Sequence, residues 1–156
     1  MINIQCEFCE SLNVELVTYA DDIDFKGLHL QLENLERHHC LECDYSFETM
    51  DMHDKNLSKI RAKFADERGA IKKRNNLLSG EEILKIRKQL GLTQRGAAEL
   101  FGGGANAFSK YENEEIVQTV AMDKLIRLVA HQGEFAIHLL KNIYGLKTKP
   151  ENAFEA

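Results

Sequence analysis

No apolar run in this sequence approaches the roughly 18 residues that a membrane-spanning helix requires, and the opening MINIQCEFCE has neither the basic start nor the apolar stretch of a secretory signal. Cysteine is confined to four positions in 156 residues. No unassigned carboxylate pair, Ser/His constellation or open metal site stands out, and no Lys-Ser/Thr follows the glycine triplet as a phosphate-binding loop would need. These absences predict a cytoplasmic protein that is not an enzyme, in a compartment where thiols stay reduced. Disorder is also excluded, because the 44% hydrophobic content is enough for a real core.

The four cysteines are spaced as two identical half-sites, Cys6-Glu7-Phe8-Cys9 and Cys40-Leu41-Glu42-Cys43. Two intervening residues let the chain turn back so that both sulfurs face one ion. Two such knuckles make a closed four-thiolate cage with no position left for water or substrate. The spacing therefore predicts one structural Zn2+ per chain, held by Cys6, Cys9, Cys40 and Cys43. Two disulfides, or buried free thiols, are the alternatives, but neither explains why both pairs share one tight spacing. A thioredoxin-like redox role would need a βαβ setting that neither pair has. His39, beside Cys40, could replace a cysteine as ligand, and otherwise His38 and His39 are expected as exposed polar residues at a strand end.

Charge is distributed unevenly. Residues 1–53 carry 12 acidic and 2 basic side chains, residues 54–78 carry 8 basic and 3 acidic, and residues 79–144 carry 8 of each. An acidic surface suited to a basic partner is thus separated from a basic segment that can approach phosphate. For the acidic part, plain solvation is an equally good account.

The hydrophobic period divides the chain in the same places. Leu12, Val14 and Leu16, then Leu28, Leu30 and Leu32, alternate with polar residues as strands do, with a turn expected from Ala20 to Asp24 and a short strand around Tyr45 and Phe47. From Asp54 the period lengthens, and Leu57, Ile60 and Phe64 line one side of a connecting helix that Gly69 is expected to end. Lys72 and Lys73 then belong to a basic hinge. Ser79-Gly80-Glu81-Glu82 is a capping box, Thr93 is a second cap, and a third helix is expected from Asn106 to Asn113 after Gly102, Gly103 and Gly104. Two short helices joined by a glycine-containing turn suggest a helix-turn-helix. The predicted fold class is α+β: a small β-rich, zinc-ribbon-like domain at 1–53, a helix and basic linker at 54–78, an all-α helix-turn-helix domain at 79–144, and a flexible tail at 145–156.

The stretches Ile86-Arg87-Lys88-Gln89-Leu90-Gly91-Leu92-Thr93-Gln94 and Phe101-Gly102-Gly103-Gly104-Ala105-Asn106-Ala107-Phe108-Ser109-Lys110-Tyr111-Glu112, together with the two knuckles, resemble the MqsA (YgiT-type) antitoxins with their Xre-type helix-turn-helix. The resemblance spans roughly residues 1–130. It implies a repressor that binds double-stranded DNA through its C-terminal domain and a toxin, a basic ribonuclease, through its zinc domain. The apolar surplus of Phe135, Ile137, Leu139, Leu140 and Ile143, more than one small domain needs, predicts a homodimer with two reading helices for a palindromic operator. Asn106 and Lys110, four residues apart, share a helix face and can pair with adenine and guanine edges respectively. Lys110 stands where the family pattern usually has arginine, keeping the charge without the planar fork. Gln94 and Ser109 are placed by the resemblance against the DNA backbone, while Phe108 and Tyr111 turn inward. Glu114 and Glu115 occupy what is usually a glycine-containing turn. The alternative function is an Xre-type regulator with a zinc domain and no toxin.

Overall fold

The computed structural model describes residues 4–146. They form β1 (Val14–Phe25), β2 (Leu28–Cys40), β3 (Ser46–Phe47), and helices α1 (Met50–Asn75), α2 (Gly80–Gln89), α3 (Gln94–Phe101), α4 (Ala107–Glu112), α5 (Val120–Gln132) and α6 (Glu134–Tyr144). The fold is α+β, an antiparallel sheet of order β1-β2-β3 followed by helices. Two compact units meet in sequence between Ala70 and Ile71.

In the first unit the hairpin turns at Lys26 and Gly27, both at positive φ (51° and 82°), between the paired Phe25 and Leu28. Two left-handed central residues match the right-handed twist of the flanking strands. The turn expected from Ala20 to Asp24 is therefore strand instead, with Ile23 and Phe25 turned toward the core and Asp22 and Asp24 toward water. Opposite Ala20, β2 carries two residues, Glu33 and Asn34, and Asn34 has φ 59°. This bulge keeps Leu28, Leu30, Leu32 and Leu35 on one face, where they pack with Tyr19, Ile23 and Phe25 against Ile60 and Phe64 of α1. The Asn56 carboxamide fixes the helix beside the bulge, accepting from Glu36 N–H at 3.0 Å and donating to Glu36 C=O at 2.8 Å. On the other face, Val14, Cys40 and Phe47 make a second small core. His38 is buried there against Phe47, 5.4 Å between rings, and is not the exposed strand-end residue the sequence suggested.

Helix α1 continues past Gly69 to Asn75, so Lys72 and Lys73 lie on its last turns and not in a hinge. One glycine costs a helix only about 1 kcal/mol. The surrounding good helix formers outweigh it.

The second unit packs α2 to α6 around Ile83, Ala97, Leu100, Phe108, Ile126 and Val129. The capping box forms as its residues imply, Glu82 N–H donating to Ser79 Oγ at 3.2 Å and Ser79 N–H to the Glu82 carboxylate at 2.8 Å. Thr93 caps α3 by accepting from Gly96 N–H at 3.0 Å. Gly102, Gly103 and Gly104 all take positive φ, 85°, 95° and 88°, which turns the chain between α3 and α4 where a side chain would be strained. Gly80 has the opposite role: a Cβ there would meet the Glu112 carbonyl oxygen at 2.4 Å, so its lack of a side chain lets α2 approach the end of α4. Of the expected tail, Gly145 ends α6 in the left-handed region and Leu146 packs on the core, while 147–156 lie outside the described residues.

Candidate metal centre and candidate nucleic-acid interface

The two knuckles are built alike. In each, the residue after the second cysteine, Glu10 or Asp44, adopts positive φ (60° and 64°). Its N–H donates to the carbonyl of the first cysteine, Glu10 to Cys6 and Asp44 to Cys40, both at 3.0 Å. The first cysteine's own N–H then closes a wider turn, Cys6 to Ser11 C=O and Cys40 to Tyr45 C=O, both at 2.9 Å. One knuckle precedes β1 and the other begins on Cys40, the last residue of β2. Because Val14 pairs with Cys40, the hairpin brings them to the same end of the sheet.

All four sulfurs lie within 4.8 Å of one another, with Cys6–Cys43 at 3.6 Å and Cys9–Cys40 at 3.5 Å. Tetrahedral bonds of about 2.3 Å to a divalent ion would set sulfurs about 3.8 Å apart. The observed separations fit that ion and exceed the disulfide length of about 2.05 Å, and all four cysteines are free. Cys6 and Cys40 are buried, whereas Cys9 is exposed. Burial opposes the Cys6 thiolate, but hydrogen bonds from the main chain of Cys9 and Phe8 and from Cys43 hold its thiol down at about 7. Cys43 has a main-chain donor at Tyr45, yet burial and the neighbouring thiols of Cys9, Cys40 and Cys6 push it up to about 12. Converging sulfurs cannot all ionise together unless a cation sits among them. His39 does not join the cluster, since its ring contacts Ser46 and Asp44 instead.

In the second unit, Gln94, Arg95 and Glu99 of α3 and Asn106 and Ser109 at the start of α4 line one open groove of about 670 Å³. Asn106 precedes α4 and makes no capping bond with its side chain, which is exposed. Lys110 is exposed one turn later on the same face, its N–H bonded to Asn106 C=O at 3.1 Å. Phe108 and Tyr111 are buried in the core with Leu100, and Ile86 packs beside them.

A family model for MqsA, the antitoxin component of a bacterial toxin-antitoxin system, matches residues 4–142. Over 128 residues the chain is 30% identical to antitoxin MqsA of Escherichia coli (strain K12), covering 81% of this chain and 92% of that protein. The chain belongs to the MqsA antitoxin family.

Two expected DNA-facing residues of this antitoxin have internal partners. Lys72 is buried and donates to the Glu114 carboxylate at 2.9 Å, so it does not stand free as a phosphate contact; Lys73, one residue on, is exposed. Burial of Lys72 follows from the helical continuation of α1, which turns its stem inward. Glu114, at φ 57°, also accepts from Gly80 N–H. Gln94 donates to Glu112 at 2.9 Å. Glu112 in turn takes both fork nitrogens of Arg87, whose remaining nitrogen reaches Leu92 C=O at 2.7 Å. This network ties α2, the start of α3 and the end of α4 together. The anchored helix α4 carries Lys110, and Asn106 immediately precedes it. Burial works against the Glu112 charge, but donation from Arg87 and Gln94 overrides it and holds the carboxyl below its ordinary range. Arg87 and Glu112 lie 25 positions apart, and the one local sign of their pairing is that Arg87 follows Ile83 by a helical turn and so shares its buried face.

Proposed function

We propose that this antitoxin represses its own promoter through the α3–α4 face and neutralises a basic ribonuclease toxin through its acidic, zinc-binding first unit. The observation that carries the reading is the division of labour along the chain. A four-sulfur cage organises a unit rich in acidic groups, and a separate helical unit presents Asn106 and Lys110 on one exposed face. Cys6, Cys9, Cys40 and Cys43 hold one zinc, a soft divalent ion matched to four thiolates, and the ion stabilises a sheet whose own core is small. Asn106 can donate to adenine N7 and accept from its N6, and Lys110 can donate to guanine O6 and N7. Gln94 and Ser109 serve the DNA backbone, and Lys73 and Arg74, both exposed, supply phosphate contacts. Phe135, Leu139 and Ile143 are exposed at four-residue spacing on α6. A homodimer would cover that stripe and present two reading helices to a palindromic operator.

Promoter binding separates these roles. Asn106→Ala is expected to weaken operator binding by about 1–3 kcal/mol while sparing random DNA. Lys73→Ala should instead weaken both alike and reduce the salt dependence by about one phosphate contact. Equal losses on operator and random DNA for Asn106→Ala would move that residue from base reading to backbone contact.

A further inference from the structure

The knuckle end of the first unit has a surface that neither the metal cage nor the helix-facing core uses. Phe8, inside the first knuckle, is 75% exposed, and its ring lies 5.7 Å from that of Tyr45, itself 42% exposed. Tyr45 stacks on Phe47 at 6.1 Å, and Phe47 lies 5.4 Å from the His38 ring. Phe47 and His38 are buried. A row of four rings therefore runs from solvent into the sheet, and the inner pair holds the outer pair in position. Leu41, inside the second knuckle, is also exposed, and its N–H is bonded to Asn13 C=O at 3.0 Å. Large apolar rings already fixed in place lose little side-chain freedom on binding, which is the property of an interface anchor.

The surrounding charge selects the occupant. Glu7, Glu10, Glu42 and Asp44 belong to the same two knuckles and are all exposed. DNA phosphates would be repelled there, and a second copy of the same surface would bring like charges face to face. A protein with basic groups around an apolar recess complements both the rings and the rim.

We propose that Phe8, Tyr45 and Leu41, rimmed by Glu7, Glu10, Glu42 and Asp44, form the docking site for a basic protein, which on the antitoxin reading above is the toxin. Phe8 supplies the central anchor. Its main-chain N–H, which donates to Cys6 Sγ at 3.4 Å, is retained in every Phe8 substitution except proline, so the metal cage can be kept while the ring is changed.

The test measures binding of the full-length, metal-loaded chain to the product of the neighbouring gene, with metal content checked for each variant. Phe8→Lys and Leu41→Lys place positive charge against a basic partner. Each should weaken binding by on the order of thirtyfold or more, mainly through faster dissociation. Phe8→Tyr should bind as wild type does. Neutralising Asp21, Asp22 and Asp24 on the hairpin should slow association modestly and leave dissociation unchanged. Unchanged affinity for both lysine variants at full metal content, with wild type binding normally, overturns the docking site alone. No binding by wild type overturns the toxin-neutralising reading, and this site with it.

Discussion

Replacing Cys40 with serine is expected to abolish metal retention and unfold the first unit, while α2 to α6 stay helical. Cys40 is fully buried, pairs in register with Val14 and supplies one of four sulfurs that converge on a single point. Among the described residues the second small core is built on buried Cys6, Cys40 and Phe47, with Ile4, Val14 and Cys43 packed beside them. Burial of that size cannot offset the entropy of ordering two knuckles, whereas structural zinc contributes on the order of 10 kcal/mol in small domains. Elemental analysis of protein purified without added metal should give one zinc per wild-type chain and none for Cys40→Ser. Circular dichroism should then retain the helical signal of the second unit and lose the sheet. A folded first unit in the metal-free variant would remove the ion from its structural role.

Glu112→Ala is expected to destabilise the second unit by about 3–5 kcal/mol, because it strands the Arg87 guanidinium in a site where its side chain is 12% exposed. Replacing Arg87 and Glu112 together with Met and Leu should cost far less, since the desolvation of both charges is then avoided. Denaturant unfolding of the two variants separates the cost of an orphaned charge from the net worth of the pair. Acid should reproduce part of the effect. Burial opposes the Asp123 charge, but Leu78 N–H, Arg127 and Gln118 hold its carboxyl, like that of Glu112, below the ordinary range. A depressed folded value means the stabilisation is complete above the ordinary carboxylate range and is lost as pH falls through the folded values. Thermal unfolding of wild type should therefore show a steeper loss below about pH 4 than Glu112→Gln does. Parallel curves would show that this carboxylate is not linked to folding.

What the sequence determined by itself was local in origin. Cys6, Cys9, Cys40 and Cys43 were legible as one site because a knuckle is closed by its own main chain. Ser79 and Thr93 were legible as caps because a cap bonds a residue three positions away. The inward turn of Phe108 and Tyr111, and the shared face of Asn106 and Lys110, follow from helical period alone. Tertiary structure decided what depends on distant partners. The bulge at Asn34 and the turn at Lys26 and Gly27, both set by strand pairing, carried β1 through its aspartates. His38 was buried by Phe47 across the sheet, and Lys72 was withdrawn from solvent by Glu114, 42 residues away. The Arg87–Glu112 pair joins α2 to the end of α4 across 25 positions, a spacing that no helical or strand period links. Local geometry repeats wherever the same few residues recur, whereas the partner of a buried charge is chosen by packing that only the folded chain completes.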